Sequence, residues 1–132
     1  MNIAQKYLSE QGAAPTNVVI SVSVPSKISD FMTHRAQFIV AHPCNPPYHT
    51  PMVELVPAPW TSQQVQADTR ALMQEVGQGP VSLSRELPGF VLNRMQYALL
   101  NECWRLIRCS VADPLLCISA LAKHLLYSGT GL

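Results

Sequence analysis

The sequence predicts an α/β fold in which a mostly parallel, doubly wound sheet is covered by helices and followed by one long helix. Three observations carry this. Short β-branched or apolar runs at residues 18–22, 38–41, 52–56 and 81–83 have strand lengths and lie between clusters of proline, glycine, serine and asparagine. Several of them are separated by stretches with a helix start and one apolar face, the order that builds strand–helix–strand units. Residues 90–107 then repeat apolar side chains at spacings of three and four without a break, which is helix periodicity.

Taken in order, residues 2–11 read as a short helix ending near Gly12, and an Ala-Ala-Pro-Thr-Asn connection leads into the strand at 18–22. Pro25 and Ser26 mark the next helix start, with Ser26 as N-cap and an end near His34. Residues 38–41 are apolar enough for a buried strand, and Pro43, lacking an N–H for the ladder, is expected to stop it. His42 is thereby placed at a strand end. Residues 52–56 return as a second strand with Glu54 between Val53 and Leu55, an ionisable group where a core strand should be apolar. Thr61 or Ser62 caps the following helix, whose Val65, Leu72, Met73 and Val76 share a face and which Gly77 closes. After the strand at 81–83, Pro88-Gly89 breaks the chain before the long helix. Leu92, Met95, Leu99, Cys103 and Leu106 form its apolar seam, and Phe90, Val91, Leu100, Trp104 and Ile107 widen it. Such width predicts burial on more than one side, inside a bundle or against a second copy of the chain. Asp113-Pro114 starts a last apolar helix over residues 115–127, and residues 128–132 read as a frayed end.

Composition narrows the possible partners. A chain of 132 residues can bury one modest core. Charged residues are 13% and hydrophobic ones 48%, against about 25% charged in ordinary domains, so a partner or further chain is expected to cover apolar area. A net charge of +1 supplies no basic field for a phosphate backbone, which argues against nucleic acid. Cys44, Cys103, Cys109 and Cys117 show no CxxC spacing, and residues 1–10 are polar and mixed without a signal peptide, so a reducing, cytoplasmic setting is expected. The stretch 115–127 contains Lys123 and His124 and falls short of the about 20 residues of a spanning helix, so no membrane segment is expected.

The candidate chemistry starts from His42 and Glu54. A histidine takes or gives a proton near neutral pH, and a carboxylate on its second ring nitrogen selects the tautomer and steadies the imidazolium. That suits removal of a proton from an alcohol while a hydride leaves the same carbon. Spacing alone leaves a second reading open, in which His42 ends a strand and Glu54 points to solvent from an edge. His42, Cys44 and His49 could hold a metal, but the prolines at 43, 46 and 47 splay them and no fourth ligand stands at a usual spacing. Cys44 has no oxyanion-hole turn beside it and reads as a structural thiol. Gly77-Gln78-Gly79 follows a helix and precedes a strand, the reverse of a phosphate cradle, and Gly129-Thr130-Gly131 is equally misplaced.

The string ELPGFVLNRMQYALLNE, residues 86–102, carries more specific information. Its Glu86, Gly89, Phe90, Val91, Asn93, Arg94 and Ala98 stand at the spacings of the signature that begins the carboxyl-terminal helical domain of 3-hydroxyacyl-CoA dehydrogenases. Upstream, AHPCNPPYHTPMVELVPAP resembles the λ-crystallin branch of that family, whose enzymatic member is an L-gulonate 3-dehydrogenase. The resemblance implies the later part of a Rossmann-type NAD-binding domain at residues 1–86 and the start of a helical domain for dimerisation and substrate at residues 87–132. It implies NAD as cofactor, a 3-hydroxy acid or 3-hydroxyacyl-CoA as substrate, and a homodimer formed through the helix at 90–107. By position, His42 matches the catalytic base and Glu54 the acid that orients it. Asn45 matches the asparagine beside the nicotinamide, and Asn93 the polar residue facing substrate. Lys6 falls at a cofactor-binding lysine, with Met1 where the family has a glutamate. Ser23 or Ser21 stands for a serine that helps hold substrate and cofactor.

Relatives open with a strand, GxGxxG and a helix, which would precede Met1, and continue into further helices where this sequence has an unfamiliar tail. The chain therefore reads as the middle of such an enzyme, inactive by itself. A different class of function is also consistent with the sequence: a non-catalytic structural or interaction protein, crystallin-like, acting through the apolar helix at 90–107.

Overall fold

The computed structural model describes residues 17–21 and 23–128. The helix read at residues 2–11, Lys6 and the end at residues 129–132 lie outside the described residues. Strand β1 is Asn17–Ile20, helix α1 Pro25–Ser29, β2 Phe38–Pro43, β3 Met52–Pro57, α2 Gln63–Glu75, β4 Gly79–Ser82, α3 Leu92–Arg108 and α4 Pro114–Ser128, with a short 3-10 turn at Arg35–Gln37. Two compact units divide between Leu92 and Asn93.

The first unit holds one sheet in the order β1-β2-β3-β4. β1 pairs parallel with β2, β2 antiparallel with β3, and β3 parallel with β4. The α/β fold is the one expected, and the connections explain its single antiparallel pair. Residues 44–51 join β2 to β3 without a helix, so the chain turns straight back, whereas the crossovers carrying α1 and α2 return it parallel.

Strand period two splits the core onto both sheet faces. Phe38 and Val40 of β2 cluster with Val56, Leu83 and Phe90, against which Ile28 and Met32 pack. Ile39 and Ala41 point the other way and cluster with Val53, Leu55 and Val65, joined by Val18 and Met73. α1 and α2 thus cover opposite faces, and β2 and β3 are apolar apart from His42 and Glu54 because neither face meets water. His42 and Glu54 follow the even-numbered alternation and belong to the face of Phe38, Val40 and Val56.

β2 ends at Pro43 as expected, with the proline itself as the last residue of the strand, opposite Val53. The Cys44 N–H donates to the Met52 carbonyl at 2.9 Å, so even-numbered β2 residues carry the ladder to β3 and proline's missing donor faces the other way. Several local expectations need correction. α1 is shorter than expected and its N-cap is Val24, with Pro25 at its first position. The Ser26 N–H instead donates to Glu86 Oε2 at 2.8 Å, a distant carboxylate doing what a local cap would. Ser62 does cap α2, its hydroxyl accepting the Val65 N–H. Val76 is 60% exposed because it lies beyond the last helical residue. Gly77 follows with φ +81, the left-handed position glycine adopts most readily. Gly79 opens β4 so close to residue 51 that a Cβ there would stand 2.9 Å from the Pro51 carbonyl oxygen.

Thr61 is a tie rather than a cap. Its buried hydroxyl donates to the Phe38 carbonyl at 2.7 Å and accepts the Ala58 N–H at 2.8 Å. Thr61→Val strands both backbone groups, so it is expected to cost about 1–3 kcal/mol in urea denaturation.

In the second unit, α3 and α4 are joined by a short turn through Ser110 at φ 55. The Asp113 carboxylate accepts the Leu116 N–H at 2.8 Å and so caps α4, as its position before Pro114 predicts. No residue of α3 is buried, contrary to the expectation from its breadth. Cys103, Leu106 and Ile107 are half-buried, while Met95, Tyr97, Leu99, Leu100 and Trp104 stay exposed. The reason is geometric: a helix apolar on most sides needs several neighbours, and a single following helix covers one stripe. Burial pushes the Cys117 thiol on α4 above its ordinary range, helped by the nearby Cys103. No helix among the described residues is long and apolar enough to cross a membrane.

Candidate active site

His42 is the last residue of β2 before Pro43, and the antiparallel register sets it directly opposite Glu54. Their side chains meet, with 2.8 Å between His42 Nδ1 and Glu54 Oε2. The pair is enclosed: the His42 side chain is 7% exposed and that of Glu54 1%. Solvation of Glu54 is replaced from within the fold. Its Oε1 accepts the backbone N–H groups of Val91 and Leu92, each at 2.9 Å. Glu54 therefore points inward, and the reading in which it faces solvent does not hold.

Three donors on one carboxylate decide the tautomer. A carboxylate only accepts, so in the neutral imidazole the Nδ1 proton lies toward Oε2 and the lone pair is on Nε2. Among the described residues nothing bonds to Nε2, and none of their buried side-chain nitrogens or oxygens lacks a partner, so Nε2 is reached from solvent. This is an imidazole with one nitrogen tied to an acid and the other free to take a proton.

The stretch before α3 builds the rest of this enclosure. Gly89 has φ 78 and Phe90 φ 47, two successive left-handed residues. The Phe90 N–H closes a tight turn on the Leu87 carbonyl at 2.9 Å. The Phe90 ring is 1% exposed and meets the imidazole of His42 edge-on, centroids 5.0 Å apart at 62°. Neither the Val91 and Leu92 amides nor the Phe90 ring was expected at the dyad. The one local signal for them is Pro88-Gly89, which marks a turn and says nothing about what the turn faces.

The other expected residues are placed as follows. Asn45 is exposed in the bend after β2, and its bond to Pro46 is cis. Ser21 is half-buried, and its N–H donates to the Ala41 carbonyl at 3.3 Å, continuing the β1–β2 ladder beside His42. Ser23 is exposed and its N–H donates to Ser21 Oγ at 3.0 Å. Asn93 is half-buried on the first turn of α3, in the second unit. No three His, Cys, Asp or Glu residues among the described ones converge as metal ligands.

The model of the NAD binding domain of 3-hydroxyacyl-CoA dehydrogenase matches residues 10–87, which span β1 to β4 and both members of the His42–Glu54 pair. The chain belongs to the 3-hydroxyacyl-CoA dehydrogenase family. Within it the chain is 50% identical over 101 residues to lambda-crystallin of Oryctolagus cuniculus, covering 74% of this chain and 32% of that protein. It is 38% identical over 99 residues to a 3-hydroxyacyl-CoA dehydrogenase of Gibberella moniliformis, covering 72% of this chain and 31% of that one. The crystal structure of 5-formyl-3-hydroxy-2-methylpyridine 4-carboxylic acid 5-dehydrogenase, an NAD+-dependent dismutase, superposes with a TM-score of 0.77 at 27% identity, over 95% of this chain and 42% of that one. The chain thus spans about a third of the length of the curated relatives it matches. For this family member the sheet described above is the part of a Rossmann-type domain that carries the strand-end histidine.

The described residues fit only part of a dinucleotide. Asn45 follows β2, and Ser21 and Ser23 follow β1, so all three are polar groups just beyond strand ends. The phosphate end finds no cradle among the described residues. Gly77 ends a helix, Gly79 is pressed against Pro51, and neither presents amides at the start of a helix after a strand.

Proposed function

We propose that this chain carries the proton-handling half of an NAD-dependent oxidation of a 3-hydroxy acid or 3-hydroxyacyl-CoA. The observation that supports it is the buried His42–Glu54 pair with Nε2 left free. In this reading His42 Nε2 accepts the hydroxyl proton of the substrate, and Glu54 holds the ring and balances the imidazolium that forms. NAD, when bound by the complete site, supplies the hydride acceptor. Asn45, Ser23 or its neighbour Ser21, and Lys6 contribute to the cofactor side, while Ser23 and Asn93 contribute to the substrate side. Residues 87–132 belong with the helical domain, and the exposed apolar side chains of α3 meet a second copy of the chain. The substrate in this reading is either a sugar acid, as for an L-gulonate 3-dehydrogenase, or an acyl-CoA, and the setting is cytoplasmic. In this reading the 132 residues alone do not turn substrate over, because no phosphate cradle stands among the described residues.

Two measurements test this. Titration of NADH fluorescence with the 132-residue chain is expected to show no binding below about 1 mM. Grafting residues 17–92 into the Gibberella moniliformis relative is expected to preserve 3-hydroxyacyl-CoA-dependent reduction of NAD, read at 340 nm on the order of the parent rate. A correctly folded graft without turnover would exclude a competent dyad in this chain.

A further inference from the structure

We infer that the Gly89–Phe90 turn is a positioning element for the His42 imidazole, a role that rests on the dehydrogenase reading above. A histidine ring held by its Cβ and one hydrogen bond can still rock about its side-chain torsions, which moves Nε2 most. His42 has one such bond among the described residues, to Glu54 Oε2, so the direction of its free Nε2 needs a second restraint. The Phe90 ring provides it, lying edge-on to the imidazole at 5.0 Å and itself locked in the cluster of Phe38, Val40, Val56 and Leu83.

The backbone of the same residue serves the other member of the pair. At φ 47, Phe90 is a bulky residue in a region that glycine and asparagine usually occupy, a strained conformation. Such strain persists only where the surroundings over-determine it. Here two things do: the ring is buried in the core, and the left-handed step turns the next two N–H groups onto Glu54 Oε1. An ordinary helical or extended φ at this position would aim those amides elsewhere or withdraw the ring. One residue therefore sets both the acid that orients the histidine and the tilt of the histidine itself. Gly89, with φ 78, supplies the first half of the turn.

The test uses the 132-residue chain labelled with 15N-histidine, following the imidazole by NMR. A single Nδ1-protonated tautomer of His42 is expected in the parent, and sampling of both tautomers would overturn the proposal without any variant. The exchange of the Nδ1 proton with water is then divided by that of the Val40 amide, which reports opening of the whole core. In Phe90→Leu this ratio is expected to rise about threefold to tenfold, the loss of an edge-to-face ring contact. Phe90→Tyr, which keeps the ring, and Leu83→Ala, which loosens the same cluster without touching His42, are expected to leave the ratio near that of the parent. A parent-like ratio in Phe90→Leu, or an equal rise in Leu83→Ala, would overturn the proposal. Turnover of the grafted enzyme reports on the dehydrogenase reading and the exchange ratio on this one, so the two fail separately.

Discussion

Glu54→Ala is expected to destabilise the first unit by about 3–6 kcal/mol, a large share of the about 5–15 kcal/mol that holds a domain of ordinary size. The carboxylate is 1% exposed and satisfies three donors at once: His42 Nδ1 and the amides of Val91 and Leu92. Alanine removes every acceptor and leaves three donors without it, each costing about 1–3 kcal/mol, with the two part-buried amides toward the lower end. Urea denaturation followed by Trp60 fluorescence, from within the same unit, measures the loss, and a change under about 1 kcal/mol would contradict this account. Glu54→Gln separates stability from chemistry. Its amide oxygen can still accept the two backbone N–H groups, but its NH2 then meets the Nδ1 proton. The histidine must shift its proton to Nε2 to avoid that clash, so the expected variant is mildly destabilised and has lost its free lone pair.

His42→Gln is expected to lower turnover of the grafted enzyme by about 10²–10⁴-fold while NADH affinity changes by less than about twofold. Glutamine can offer an amide N–H to Glu54 Oε2 and so keeps the buried carboxylate partnered. What it cannot do is take a proton from an alcohol. The rate and affinity readouts together tell loss of the base from collapse of the fold, since collapse would remove both. An unchanged rate would take His42 out of the chemistry and leave the pair as a structural tie between β2 and β3.

Sequence period and propensity located most of the elements, and the departures have identifiable causes. Apart from His42 and Glu54 the β2 and β3 runs are apolar, which predicts strands covered on both faces, and the core has that form. The twelve-residue separation of His42 and Glu54 was suggestive, yet it could not distinguish an acid facing its neighbour from one facing water. The register made the difference: residues 44–51 return the chain without a helix, and antiparallel pairing then sets residue 42 across from residue 54. Ser26 is not the cap because the helix already begins at Pro25, and the amide of Ser26 is satisfied by Glu86, sixty positions away. Separations of that size carry no periodic signal.

By itself, then, the sequence determined an α/β chain with a strand-end histidine, an acid inside the next strand and a long apolar helix after a Pro-Gly break. These follow from local physics, since proline, β-branching and side-chain period act within a few residues. Only the tertiary structure decided that the acid is buried, that two amides from beyond the Pro-Gly break complete its shell, and that the Phe90 ring lies on the histidine. Each of these is a contact between segments tens of residues apart. Burial makes them necessary, because a carboxylate removed from water must collect donors from whichever part of the chain the fold brings to it.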